Sequence, residues 1–299
     1  MKKYIIGLGC SWTAGEGGYP DHIWHQYNGS PQRYFRKHPE DEYSVKKYEL
    51  ENSWVNVLCR DYFSDHTPMN LGVKGIGNYG AVHQLHFCNR IDWTNSTGII
   101  IYQMSGFERL DLFQHEPYLP NRSPLNDDYY SNNEFINNKW RTAWPHELDS
   151  GSESMYWNAY ARSLWSEQFV SSWQMMALLD VQTFAKAHGF KLIVINSFNY
   201  RDEGIIDYLR NNTGQLADTF NWDEYYFHNT VDYTAMMQLL VRYDKKIPED
   251  QWWPKYYDYC KLPRPSEYLT NCDGTHPTIK GYKVIAEELA KYIINRKYI

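Results

Sequence analysis

The chain has 299 residues, 42% of them apolar and 22% charged, with 18 Gly and 13 Pro, which excludes a collagen, a simple coiled coil and a fully disordered polymer. No apolar run approaches the ~18 residues of a membrane helix. Thirty Lys and Arg against 36 Asp and Glu give a net charge of −6 without a basic cluster, so a soluble protein with neither membrane nor nucleic acid as partner is expected.

Tyr4 to Gly9 reads as a short apolar strand ending in Gly-Cys-Ser. After Met1-Lys2-Lys3 it imitates a signal peptide, but it is shorter than the ~7–15 residues of an apolar signal core. A buried first strand accounts for it. Residues 16–50 are polar, aromatic and marked by Pro and Gly, an irregular excursion. Asn52 can cap a helix beginning at Ser53, with Trp54, Val57, Leu58 and Tyr62 at helical spacing. Thr67 to Leu71 is a second strand, and Gly72, Gly75 and Gly77 punctuate the loop after it. Residues 79–93 read as a helix, and Gly98 to Met104 as a buried β-branched strand. Residues 112–153 have no clean period, as in a long loop or small cap. Tyr156 to His188 is a long helical stretch stopped by Gly189. Lys191 to Ser197 is the fourth strand. Residues 200–270 form a second insertion, partly helical at 232–243, and Pro277 to Lys297 is a terminal helix with Tyr282, Ile285, Leu289, Tyr292 and Ile293 as its apolar stripe.

Strands alternating with helices imply a parallel sheet covered on both sides, a three-layer α/β/α sandwich forming a single domain over 1–299. The insertions at 112–153 and 200–270 follow the third and fourth strands. Loops after parallel strands gather at the carboxyl edge, where ligands bind, so both insertions are expected as cap-like frames of a pocket.

Three segments bear on chemistry. The first is Gly7-Leu8-Gly9-Cys10-Ser11-Trp12-Thr13-Ala14-Gly15. A dinucleotide fingerprint needs Gly where Trp12 stands, and a phosphate loop needs Lys where Glu16 follows Gly15. A serine on a tight turn at a strand end remains, its hydroxyl exposed at the sheet edge and backbone N–H groups aimed at an oxyanion. A Ser after a Gly is more often just a turn residue. The second is Asp273-Gly274-Thr275-His276-Pro277. A hydroxyl needs a base, and histidine serves when a carboxylate on Nδ1 holds its tautomer and leaves Nε2 for the serine. The bland alternative is a helix cap and turn, with Pro277 in the first turn of the helix. The third is Asn70-Leu71-Gly72-Val73-Lys74-Gly75-Ile76-Gly77-Asn78, whose glycines can bring a backbone N–H close to a substrate oxygen or simply make turns.

Taken in order, GCSWTAG, NLGVKGIGN and DGTHP resemble the sequence blocks of the SGNH hydrolase superfamily, the GDSL-type esterases. The resemblance implies a flavodoxin-like sandwich and ester hydrolysis through an acyl-enzyme. It makes Ser11 the nucleophile, His276 the base and Asp273 its partner. The N–H groups of Gly75 and Ser11 would form the oxyanion hole. The chain departs from the family at Cys10, where an Asp is usual, and in the third block, where Gln103-Met104-Ser105-Gly106-Phe107-Glu108-Arg109 lacks the oxyanion Asn. Gln103 or Ser105 is the candidate replacement donor, and Arg109 reads as surface charge.

His22 with His25 and His83 with His86 lack the carboxylates or thiols that would complete a metal site, so neither metal nor organic cofactor is expected. The five cysteines Cys10, Cys59, Cys88, Cys260 and Cys272 are odd in number and widely spaced, as in a reduced, cytoplasmic protein. Cys10 is expected to point into the fold. With 27 Tyr and 12 Trp, an aromatic rim suited to sugars is expected; Trp252, Trp253, Tyr256 and Tyr257 are either a sugar platform or the packed underside of a cap. The expected substrate is an acyl ester of a carbohydrate, acetyl being the simplest. The alternative is a carbohydrate-binding or structural protein on the same scaffold.

Overall fold

The computed structural model describes residues 1–20, 23, 31–73, 77–89, 91–105, 110–113, 140–143, 166–197, 204–227, 236–244, 267–269 and 276–299. Among these the strands are β1 (Lys2–Leu8), β2 (Thr67–Asn70), β3 (Ser96–Met104), β4 (Leu110–Phe113), β5 (Trp140–Ala143) and β6 (Lys191–Asn196). The helices are α1 (Ser11–Ala14), α2 (Pro31–Lys37), α3 (Glu42–Glu51), α4 (Trp54–Asp61), α5 (Gly80–Cys88) and α6 (Glu167–His188). They continue with α7 (Ile205–Thr213), α8 (Gln215–Asp218), α9 (Trp222–Tyr225), α10 (Met236–Tyr243) and α11 (Ile279–Asn295).

The chain folds as α/β around a four-stranded sheet, order β2-β1-β3-β6, with every pair parallel. Registers such as Gly7 opposite Asn70 and Leu8 opposite Tyr102 bring the carboxyl ends of these strands to one edge. Side chains alternate across a strand. Ile5, Ile99, Ile101, Ile193 and Ile195 therefore meet residues of α4, α10 and α11 on one face. Ile6, Leu8, Ile100, Tyr102, Leu192 and Val194 meet α6 and α7 on the other. Burial on both faces explains why β1, β3 and β6 contain unbroken apolar runs, whereas the edge strand β2, TPMN, leaves Thr67 and Pro68 exposed. Tyr282, Ile285, Leu289 and Ile293 of α11 are all at most 1% exposed, and burying an Ile or Leu of this kind contributes ~1.5–3 kcal/mol. The fifth residue of the expected stripe, Tyr292, is only half-buried. No described helix is long and apolar enough to cross a membrane.

Several boundaries differ from expectation. Residues 16–50 contain α2 and α3. The α3 segment EYSVKKYELE has good helix formers and a Glu42–Lys46 pair one turn apart, but no apolar stripe by which to read it. Asn52 closes α3, its Nδ2 donating to Tyr48 O at 2.9 Å, and Ser53 is the N-cap of α4. Thr278 caps α11, its Oγ1 accepting from Gly281 N at 3.2 Å. Pro277 stands before that cap, in an antiparallel bridge with Leu269.

Within the two expected insertions, β4 and β5 pair antiparallel, and residues 204–227 pack on the sheet. Ile205, Tyr208, Leu209, Phe220 and Trp222 are all core residues. Tyr226 bridges parallel to Val194, and Phe227 N donates to Val194 O at 2.8 Å. Continuing α6 as far as Tyr156, and the aromatic run 252–257, are expectations that lie outside the described residues.

Candidate active site

Gly9 and Cys10 carry the chain off the end of β1 into α1, whose first residue is Ser11. Cys10 is extended (φ −91°, ψ −155°), and its carbonyl accepts from Thr13 N and Ala14 N, both at 3.0 Å. Ser11 O then accepts from Gly15 N at 3.1 Å and Glu16 N at 3.0 Å. The result is a tight turn with Ser11 at its mouth, Cys10 turned into the core as expected. Two glycines allow it. Gly15 has φ +94°, a left-handed conformation, and a Cβ there would lie 2.4 Å from Glu49 O. A Cβ on Gly72 would lie 2.3 Å from Ala14 N, so the loop after β2 presses directly on the backbone of α1.

Buried amides hold this turn from three sides. Gln84 of α5, fully buried, accepts from Gly9 N and donates to Gly9 O, both at 2.8 Å. Asn70, ending β2, donates through Nδ2 to Thr13 O at 2.6 Å and to Ser53 Oγ at 2.9 Å, while its Oδ1 accepts from Gly72 N at 3.0 Å. Gln103 of β3 accepts through Oε1 from Thr13 Oγ1. Beyond β3, Asn78 Oδ1 accepts from Ser105 N at 2.5 Å and its Nδ2 donates to Ser105 O at 3.0 Å.

His276 approaches from the other end of the chain. Its Nε2 lies 2.8 Å from Ser11 Oγ across 265 positions of sequence. Among the described residues this is the hydrogen bond that Ser11 Oγ makes. With the proton on Nδ1, Nε2 accepts from the serine hydroxyl, the arrangement that activates an alcohol as a nucleophile. The helix following His276 is tied to the α1 turn. Tyr282, fully buried, donates from its hydroxyl to Glu16 O at 2.6 Å. Burial, reinforced by the charges of Glu16 and Glu49, holds this phenol well above the usual tyrosine range. Glu16 also brings Oε2 to 3.4 Å from His276 Nε2.

The structure thus joins two expected residues, Ser11 and His276. Gln103 and Ser105 are buried nearby, tied to Thr13 and Asn78 respectively. Asp273 and Gly75 lie outside the described residues, as do His22, His25, Arg109, Cys260, Cys272 and the side chains of His83 and His86. Cys59 and Cys88 are buried free thiols, each pushed up to about 12 by burial. Among the described residues one group has metal-ligand types close together, His38, Glu40 and Asp41, with ligand atoms within 4.8 Å of one another. Asp41 there accepts from Tyr34 of α2 and His38 stacks on the same ring, contacts that fasten the turn between α2 and α3.

Sequence reasoning missed Gln84, Asn70, Asn78 and Glu16 as parts of the site. Asn70 and Asn78 bracket the glycine loop and Glu16 directly follows GCSWTAG, so position gave a signal for these three. A glutamine on a helix gives none. Comparison of the chain with protein-family models, with curated proteins and with solved structures finds no match.

Proposed function

We propose that the chain is a serine-dependent ester hydrolase that works through an acyl-enzyme, on an acyl (in the simplest case acetyl) ester of a carbohydrate. The observation that carries this is the 2.8 Å contact between Ser11 Oγ and His276 Nε2. In this scheme Ser11 Oγ bonds to the acyl carbon as its proton passes to Nε2, and the carbonyl electrons move onto the oxygen. The N–H groups of Ser11 and Gly75 hold that oxyanion. Ser11 N, at the first position of α1, makes no intrachain hydrogen bond among the described residues, as first-turn N–H groups do. Collapse breaks the bond to the alkoxy oxygen, which leaves as the alcohol with the proton from Nε2. Water, losing a proton to Nε2, then attacks the acyl carbon, releasing the acid and restoring Ser11. Asp273 holds Nδ1–H and steadies the imidazolium.

The fold supports the same reading. A parallel sheet with a packed core on each face suits a flavodoxin-like three-layer sandwich, and Ser11 follows a central strand at the carboxyl edge, where such sheets bind ligands. The sequence resemblance to SGNH hydrolases assigns the same pair. Buried free thiols suit a cytoplasmic setting.

Hydrolysis of p-nitrophenyl acetate tests the proposal. The wild type is expected to turn over with kcat/KM rising with pH as the imidazole loses its proton, and Ser11→Ala to be slower by about 10³-fold or more. Equal rates for the two proteins would remove the proposal.

A further inference from the structure

We infer that Glu16 recognises a hydroxyl on the alcohol half of the ester, so that the enzyme prefers esters of polyols to esters of alcohols lacking a second donor. The inference rests on the serine hydrolase reading above and extends it to the substrate. Its basis is which ring nitrogen Glu16 meets. A carboxylate that orients a catalytic histidine binds Nδ1, on the far edge of the ring. Glu16 Oε2 instead lies 3.4 Å from Nε2, the nitrogen that also contacts Ser11 Oγ. Since Nε2 delivers the proton to the departing alkoxy oxygen, that oxygen must come within ~2.6–3.2 Å of it. The leaving group and the Glu16 carboxylate are then neighbours around one nitrogen.

The carboxylate is built into this place. Glu16 N donates to Ser11 O at 3.0 Å and Glu16 O accepts from the buried Tyr282 hydroxyl at 2.6 Å, so its backbone is fixed to both the nucleophile turn and α11. Its side chain is nevertheless 22% exposed, and that of His276 13%, so neither is sealed from solvent. A hydroxyl on the carbon adjacent to the one that bears the ester oxygen reaches a carboxylate so placed and donates to it across the ~2.5–2.7 Å of a charge-assisted bond. An anionic leaving group is repelled. Polyols, sugars among them, present such a neighbouring hydroxyl.

The test compares 2-hydroxyethyl acetate with 2-methoxyethyl acetate, which differ by capping of the donor. The wild type is expected to favour the hydroxyethyl ester in kcat/KM by about 10- to 100-fold, the range of a hydrogen bond to a charged acceptor. Glu16→Ala should bring that ratio close to one, and Glu16→Asp should restore part of it. Because each protein is its own reference, a general loss of activity leaves the ratio readable. If Glu16→Ala does not fold, Glu16→Gln, of the same shape without the charge, should cut the ratio several-fold. A wild-type ratio near one, or a ratio unchanged on removing the carboxylate, overturns the inference. Ser11 labelling by a fluorophosphonate separates the two levels. Labelling at Ser11 without ester discrimination sinks the role of Glu16 alone, whereas no labelling at Ser11 sinks the hydrolase reading beneath it.

Discussion

Gln84→Met is the sharpest perturbation of the scaffold under Ser11. Methionine matches the length of glutamine but neither accepts from Gly9 N nor donates to Gly9 O, the two 2.8 Å bonds that Gln84 makes with no side-chain exposure. Gly9 O retains Val73 N at 3.0 Å. Gly9 N makes no other hydrogen bond among the described residues and is left buried and unsatisfied. Leaving such a donor costs ~1–3 kcal/mol and losing the second bond a further ~0.5–1.5, in all about 2–4 kcal/mol. At ~2–4 °C per kcal/mol for a chain of this size class, the melting temperature should fall by about 4–16 °C. Calorimetry or a fluorescence melt measures this, with Gln168→Met on the exposed face of α6 as a control expected within ~0.5 kcal/mol of wild type. Labelling of Ser11 should slow as well, since Gly9 sets the entry to its turn. A Gln84→Met protein as stable as the control would refute the claim that this amide pair supports the turn.

Two further outcomes follow from the packing. Gly72→Ala places a methyl 2.3 Å from Ala14 N and 2.6 Å from Thr13 C. The neighbours are backbone and cannot swing aside, so a loss of about 1–3 kcal/mol or more is expected in a thermal melt; no change would mean that the loop stands off α1. Tyr282→Phe addresses alkaline stability. The phenol is held neutral well above its ordinary range, so the stability it contributes is complete below ~10, the ordinary tyrosine value, and is lost as pH rises beyond that through the folded-state value. The phenylalanine variant should lose ~1 kcal/mol at neutral pH with the bond to Glu16 O and show a flatter decline above pH ~10; parallel alkaline curves would contradict the assignment.

The sheet was legible because strands buried on both faces need no partner to be recognised: Ile99 to Tyr102 and Leu192 to Ile195 are unbroken apolar runs. The fold of residues 31–51 was not, since α3 buries little besides Val45 and Glu49 and has no stripe to betray its period. Segment 204–227 was harder still. Its buried aromatics Tyr208, Trp222 and Tyr226 are interspersed with polar residues, and their partners on β6 and α6 are set by tertiary packing. At the site, Ser11 and His276 stood out because each sits in a short block of unusual residues. Gln84 acts on backbone atoms 75 positions away, a contact with no local trace, and the nearness of Glu16 to His276 depends on how α11 docks.

Fluorophosphonate labelling followed by peptide mapping tests the central pairing most directly. The wild type should carry the phosphonyl group on Ser11, and His276→Ala should label at least ~10²-fold more slowly, because the hydroxyl has lost the base 2.8 Å away. Attachment at another residue, or a labelling rate at Ser11 indifferent to His276, would show that the contact does not activate the serine.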